Sequence, residues 1–274
     1  MRTPNPLGRV LRRPPLWRET RVGLEAAALV RQPVFRGEGM RDGGGQPVLL
    51  IPGFLAGDDS LGFMTRWLRR TGHHTRKAGM RFNVNCSGQA VDRLETRLES
   101  LVEAAGRPAA IVGQSRGGTF ARVLAARRPE LVSGIVTLGT PHVDPLAVHP
   151  LVSLQLLAVG TLGTLRVPGM FRRSCLAGDC CEDFWRTSEE NLPRGVGFVS
   201  IYSKSDGIVD WPACLAVGAE QVEVRASHIG MAVNAGAYEA ITEALHSFRR
   251  REARRKAPRQ LRSAASGQQH RRAA

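Results

Sequence analysis

A chain of 274 residues, 42% of them hydrophobic, suits one sizeable domain that buries roughly 75% of its unfolded surface and needs no disulfides to hold a core. A formal charge of +15 would suit a nucleic-acid binder, yet ten Arg or Lys against the single Glu252 lie between Arg249 and Ala274. Nine of the fifteen net charges therefore sit in a terminal appendage, which excludes a uniformly basic binding body.

The first thirty residues hold six arginines and Pro14-Pro15 with no uninterrupted apolar stretch, so no secretory signal is read and a cytoplasmic location is expected. Val22, Leu24, Ala27, Leu29 and Val30 recur at helical spacing and predict a helix over 16–31, with Gly43-Gly44-Gly45 as a breaker. The run 47–51 (PVLLI), bounded by glycine and proline, has the pattern of a buried parallel strand. A helix over 61–70 follows, then a basic stretch with His73 and His74. Leu94, Leu98, Leu101 and Val102 mark an amphipathic helix over 91–105. Residues 109–112 form the next buried strand, and a helix runs from 116 to 126, ending near Pro129. Further strands are expected at 134–138, 197–202 and 222–225, and a closing helix at 231–248. Strands alternating with helices predict a mainly parallel sheet with helices on both faces.

Residues 142–194 interrupt this alternation. The run 151–165 carries no charge, but Pro150, Ser153, Gln155, Gly160 and Gly163 break it and strands flank the insertion. A cap or lid over an apolar site is expected there, not a membrane span. The polar, basic segment 249–274 is expected to be a disordered tail. The resulting division is an N-terminal helical extension (1–45), an α/β body (46–248) containing the cap (142–194), and the tail (249–274). Of the five cysteines, Cys175, Cys180 and Cys181 share one segment, Cys86 stands alone and Cys214 follows later. The spacing C-x4-C-C is not the paired C-x2-C of zinc sites, so neither metal nor other cofactor is expected. Free thiols fit the compartment; a bridge from Cys180 or Cys181 to Cys214 is the alternative in an oxidising one.

The chemistry centres on Gly113-Gln114-Ser115-Arg116-Gly117, placed between a strand and a helix. A serine on so tight a turn is lifted above the sheet edge, small neighbours let strand and helix approach, and the helix points its positive end at developing charge. Ser115 is the expected nucleophile.

The segments Ile51-Pro52-Gly53-Phe54, Gly113-Gln114-Ser115-Arg116-Gly117 and Thr137-Leu138-Gly139-Thr140-Pro141-His142 resemble the lipase branch of the α/β-hydrolases, over about residues 47–248. Ser203-Lys204-Ser205-Asp206-Gly207-Ile208-Val209 resembles that family's acid loop, and Ser227-His228-Ile229-Gly230 its histidine loop. The resemblance implies an α/β-hydrolase fold with a sheet of about six strands, since the usual N-terminal hairpin is replaced by a helix. It also implies a triad of Ser115, Asp206 and His228, in which the imidazole takes and returns the serine proton and the carboxylate orients it. Asp210 is the rival acid. His246 falls inside the closing helix, while His73, His74 and His142 precede the acid and break the family's order. The oxyanion hole would use the backbone N–H groups of Arg116 and Phe54, with Leu55 as rival because Pro52-Gly53 replaces the common His-Gly. The Arg116 side chain is expected to point away into solvent.

An apolar cap implies a small hydrophobic acyl-ester substrate. A serine at the elbow disfavours dehalogenase or epoxide-hydrolase chemistry, which needs a carboxylate nucleophile. Thioesterase and acyltransferase remain alternatives on the same acyl-enzyme. A reading of a different class is an inert hydrolase-fold binding protein whose basic tail touches anionic partners. That tail has no aromatic residue for base stacking, so specific nucleic-acid binding is not expected, only weak contact with anionic surfaces. The sequence leaves the oligomeric state open.

Overall fold

Apolar β-branched runs without charges become strands buried on both faces. In this computed structural model, which describes residues 14–272 except 178 (with the side chains at 177, 179 and 255–272 left aside), four such runs form the centre of the sheet. These are β1 (Pro47–Ile51), β3 (Ala109–Gln114), β4 (Val132–Leu138) and β5 (Gly197–Tyr202). Two polar strands close the edges: β2 (His74–Lys77) and β6 (Glu220–Glu223). The order is β2-β1-β3-β4-β5-β6, with every neighbouring pair parallel. The basic stretch at His73-His74 is thus an edge strand, and the last strand lies slightly earlier than the expected 222–225.

Side chains of a strand alternate between faces, and here both faces are covered. Val48, Leu50, Ala110, Val112, Val136 and Leu138 face one core, filled by α1 (Val22–Arg31), α2 (Pro33–Arg36), α3 (Gly62–Arg70) and α9 (Ala235–Arg272). Leu49, Ile51, Ala109, Ile111, Val132 and Ile135 face the other, filled by α4 (Ser87–Ala105), α5 (Arg116–Arg127) and α8 (Glu182–Glu189). Each fully buried aliphatic side chain of this kind contributes about 1.5–3 kcal/mol. The helix expected over 16–31 begins as a 3-10 turn (Leu16–Arg21) before α1. The N-terminal extension joins the first core through Leu29, Val34 and Phe35, and Trp67 Nε1 donates to the Val34 carbonyl at 2.9 Å.

Between β4 and β5 run α6 (Pro150–Thr164), α7 (Ser174–Ala177) and α8. Only α8 packs closely on the body, Phe184 meeting Phe120 edge-on at 5.6 Å. At 15 residues α6 spans roughly 22 Å, short of a bilayer's apolar core. No helix among the described residues is long and apolar enough to cross a membrane. At the other end, α9 does not stop at Phe248, where the disordered tail was expected to begin. Glu252 pairs with Arg107 at 2.7 Å and Arg249 Nη1 donates to the Asp42 carbonyl, which ties residues 249–252 to the body as helix. Residues 273–274 lie outside the described residues. Cys214 is fully buried in the fold, whereas Cys180 and Cys181 approach Cys86 and Cys175, so the Cys214 pairing is not formed.

The strand order carries one consequence for function. From β1 the chain turns outward to β2, whereas from β3 it proceeds the opposite way through β4 to β6. The connections diverge beyond the carboxyl ends of β1 and β3 and leave a crevice there.

Candidate active site

Ser115 stands at that crevice, between the end of β3 and the first residue of α5. Its backbone has φ 51° and ψ −123°, a conformation that costs a side-chain-bearing residue about 1–3 kcal/mol. The surroundings hold it there. Ser115 N–H donates to the Leu138 carbonyl at 2.8 Å, and its own carbonyl accepts from Thr140 Oγ1 at 2.9 Å. Glycine is required on both sides, because a Cβ on Gly113 would lie 2.4 Å from the Gly117 carbonyl oxygen and one on Gly117 would lie 2.3 Å from that of Ile51. Among the described residues, two of the three non-glycine positions with positive φ, Ser115 and Leu55, belong to this crevice.

The acid and histidine loops reach the same edge from β5 and β6. His228 Nδ1 lies 2.7 Å from Asp206 Oδ2, and both side chains are almost fully buried. The other carboxylate oxygen, Oδ1, accepts the N–H groups of Ile208 and Val209, each at 2.8 Å, so the loop fixes the carboxylate on both sides. Burial on its own would push the imidazole pKa down. The Asp206 charge and hydrogen bond, with the Glu19 charge, outweigh it and leave His228 above its ordinary value. Asp210, the rival acid, is placed after this turn, its N–H donating to the Ala147 carbonyl. Ser115 is linked to the histidine loop through its neighbour: Gln114 Nε2 donates to the His228 carbonyl at 3.1 Å. No hydrogen bond joins Ser115 Oγ to His228 among the described residues, a contact that in related chemistry tightens only when substrate is bound. Gly139, at φ 57° after β4, leaves room for the ring; a Cβ there would sit 2.9 Å from His228 Nδ1.

Sequence reading missed the carboxylates that hold these loops. Glu19 Oε1 accepts from the N–H groups of Gly207 and His228, and Oε2 from that of Ile229, all at 2.9 Å. Glu25 accepts from Ser227 N–H at 2.8 Å and from Ser227 Oγ at 2.6 Å. Both acids come from the N-terminal extension and bind the acid and histidine loops from outside. Their positions in an arginine-rich amphipathic helix gave no signal, since acidic residues in such a helix usually face water. Gln114 and Gly139 were visible only as parts of their motifs.

The two expected oxyanion donors, Arg116 and Phe54, are placed as follows. Arg116 opens α5, so its N–H has no helical acceptor. Phe54 follows Gly53, whose Cα passes close to Ser115: a Cβ on Gly53 would meet Ser115 Cβ at 3.3 Å. Leu55, with φ 60°, turns the chain away directly afterwards. The Arg116 side chain departs from expectation. Instead of entering solvent, its guanidinium donates to the Asn83 carbonyl (2.9 Å) and Oδ1 (3.1 Å), the Asn85 carbonyl (2.7 Å) and Ser87 Oγ (3.0 Å), between the rings of Phe120 and Phe171. Burial holds its pKa down at about 10, against the influence of nearby Cys181, Cys86 and Cys175.

The excluded histidines serve elsewhere. Burial, with Arg122 nearby, pushes His142 down to about 3, and its Nε2 contacts Thr137 Oγ1 at 2.9 Å. His73 is buried against Thr71 and the Leu68 carbonyl. His246 lies among Arg41, Arg249 and Arg250 on α9.

The chain has the α/β-hydrolase fold. A family model described as the alpha/beta hydrolase fold matches residues 86–159, and no curated protein matches the sequence. Among solved structures, the chain is similar to a mature Bacillus licheniformis lipase at 13% identity and TM-score 0.55, over 76% of this chain and 94% of that one. It is also similar to a soluble variant of monoglyceride lipase from Saccharomyces cerevisiae in complex with a substrate analog, at 15% identity and TM-score 0.54, over 78% and 89%. A third likeness, at 15% identity and TM-score 0.53 over 77% and 96%, is to one of two metagenome-derived lipolytic enzymes.

Proposed function

We propose that this protein is a serine hydrolase that cleaves a carboxylic ester with an apolar acyl group. The observation that carries the reading is the buried Asp206–His228 pair, 2.7 Å apart, at the same sheet edge as a serine in strained backbone geometry. In the reaction Ser115 Oγ attacks the ester carbonyl while its proton passes to His228 Nε2. Asp206 accepts the Nδ1 proton in a hydrogen bond and stabilises the imidazolium without taking the proton. The oxyanion is held by the N–H groups of Arg116 and Phe54, each of which would contribute about 3–4 kcal/mol to the transition state. The C–O bond to the leaving alcohol breaks as that oxygen takes the proton back from His228, leaving an acyl-serine. Water, deprotonated by the same imidazole, then releases the acid and restores Ser115.

Two features support an apolar substrate. Residues 142–194 act as a lid in this reading, and α6 within them exposes a row of leucines, with Leu154 61% accessible and Leu151, Leu157 and Leu162 beside it. Neighbouring exposed leucines suit a surface that contacts an apolar partner. The structural neighbours named above are lipases or lipolytic enzymes.

Covalent labelling tests the proposal. A fluorophosphonate probe is expected to modify the wild-type chain at Ser115, and Ser115→Ala is expected to lose both labelling and p-nitrophenyl ester turnover. Retained turnover in a folded Ser115→Ala variant would overturn the assignment.

A further inference from the structure

Four cysteine sulfurs from two distant parts of the chain meet beside the Arg116 guanidinium. Cys86 precedes the first turn of α4, whereas Cys175, Cys180 and Cys181 come from the segment between β4 and β5. The Sγ–Sγ distances are 3.1 Å for Cys175–Cys180, 3.5 Å for Cys86–Cys181 and 3.7 Å for Cys180–Cys181. All four sulfurs lie within 4.8 Å of one another. Disulfide sulfurs would be about 2.05 Å apart. A zinc–thiolate bond of about 2.3 Å instead sets neighbouring sulfurs of a tetrahedron roughly 3.8 Å apart. The cluster is drawn close to the second pattern.

Three independent features fit bound metal. Cys86 is the N-cap residue of the 19-residue α4, so it stands beside the free backbone amides at the positive end of that helix. Such amides orient and stabilise metal-bound thiolates. Next, the Arg116 guanidinium donates to neutral oxygens, and among the described residues no carboxylate pairs with it. The groups beside it that could carry negative charge are the thiols of Cys181, Cys86 and Cys175. A tetrathiolate around a divalent ion keeps two negative charges, which a buried cation at this place offsets. Finally, Cys180 is exposed and, with Cys181, lines a surface pocket of about 280 Å³ that gives an ion a way in.

We propose that Cys86, Cys175, Cys180 and Cys181 bind one structural zinc ion as a tetrahedral tetrathiolate. Four soft sulfur ligands select zinc, and a site with every position filled by protein leaves none for catalysis. Each thiol gives its proton to solvent as its Zn–S bond forms. The ion clamps Cys175, Cys180 and Cys181 to the start of α4 and, through Arg116, to the back of the serine turn. The expectation of no metal rested on local spacing; C-x4-C-C lacks a second close pair, and the fold supplies the missing ligand from Cys86.

Elemental analysis of tag-free, full-length protein is expected to find about one zinc per chain. Replacement by cobalt(II) is expected to give the intense visible absorption of a tetrahedral thiolate site, a readout that needs no variant. Cys86→Ser and Cys180→Ser are each expected to retain roughly tenfold less zinc after exposure to a chelator. Cys180 is exposed, so its variant keeps the test clear of a core defect. The proposal is overturned by metal-free protein whose peptides show Cys86–Cys181 and Cys175–Cys180 disulfides, by four free thiols that take up no cobalt, by iron in place of zinc, or by zinc that both variants keep.

Discussion

The sheet edge that carries the candidate triad and the segment that crosses between β4 and β5 are built on opposite principles. At the edge, the serine turn and the acid loop leave strands paired on both sides, and tolerances are small: one added methyl on Gly117 would strike the Ile51 carbonyl at 2.3 Å. In the crossing segment, α6 buries only Val159, Gly160 and Gly163 of its 15 residues and turns Leu151, Leu154, Leu157 and Leu162 outward. Its anchors are local: the Phe171 N–H on the Val84 carbonyl, α8 on Phe120, and the cysteine cluster. The contrast separates a rigid part, where reacting groups are held in place, from a weakly packed part able to adjust to what it covers.

Breaking the rigid part should have the largest effect. Asp206→Asn keeps an oxygen for the N–H groups of Ile208 and Val209 but offers His228 Nδ1 an amide, which favours the wrong tautomer. The expected outcome is a fall in kcat of about 10,000-fold with the melting temperature nearly unchanged. Steady-state hydrolysis of p-nitrophenyl acetate and a thermal melt check it. A loss smaller than tenfold would remove Asp206 from the triad and turn attention to Asp210.

The same contrast explains what could be read from the sequence. The four central strands were legible because burial on both faces forces uninterrupted apolar runs, as in 47–51 and 134–138. The β2 edge was not, because an exposed edge strand with the sequence HTRK carries no such run. The serine turn announced itself through glycines that sterics demand, and the order of the acid and histidine loops was available from the resemblance. Glu19 and Glu25 were invisible: their role depends on tertiary contacts across some 200 positions, and nothing local distinguishes them from solvated acids. Arg116 was misread for the same reason, since the acceptors at Asn83, Asn85 and Ser87 are brought to it only by the fold. The cysteine cluster likewise joins residues that spacing does not connect.

A change at Glu19 sharpens the boundary between holding and reacting, with a middle-sized effect. Glu19→Gln keeps one acceptor oxygen for Gly207 and His228 but turns an amide toward the Ile229 N–H. Loss of one charge-assisted contact, worth about 1.5–3 kcal/mol, is expected to lower kcat/KM roughly tenfold. The pH profile carries the sharper sign. In the proposed reaction His228 must be neutral to accept the serine proton, so activity is expected to be lost as pH falls through its pKa. The Glu19 charge helps hold that pKa up, and removing it should move the acid limb of kcat/KM to lower pH. A variant that is slower with an unmoved limb would reduce Glu19 to a structural tie.

The smallest effect is expected in the weakly packed part, and it must be read as a ratio. Leu154→Ser and Leu157→Ser alter side chains that are 61% and 47% exposed, so little folding energy depends on them. If α6 lies along an acyl chain during the reaction, each change removes apolar contact with that chain worth about 1 kcal/mol. The kcat/KM for a dodecanoyl ester relative to the acetyl ester should then fall about fivefold in each variant. The ratio matters because general damage to the triad lowers both esters alike and leaves it constant. An unchanged ratio, with both rates intact, would detach these leucines from the substrate and leave their exposed surface to some other contact.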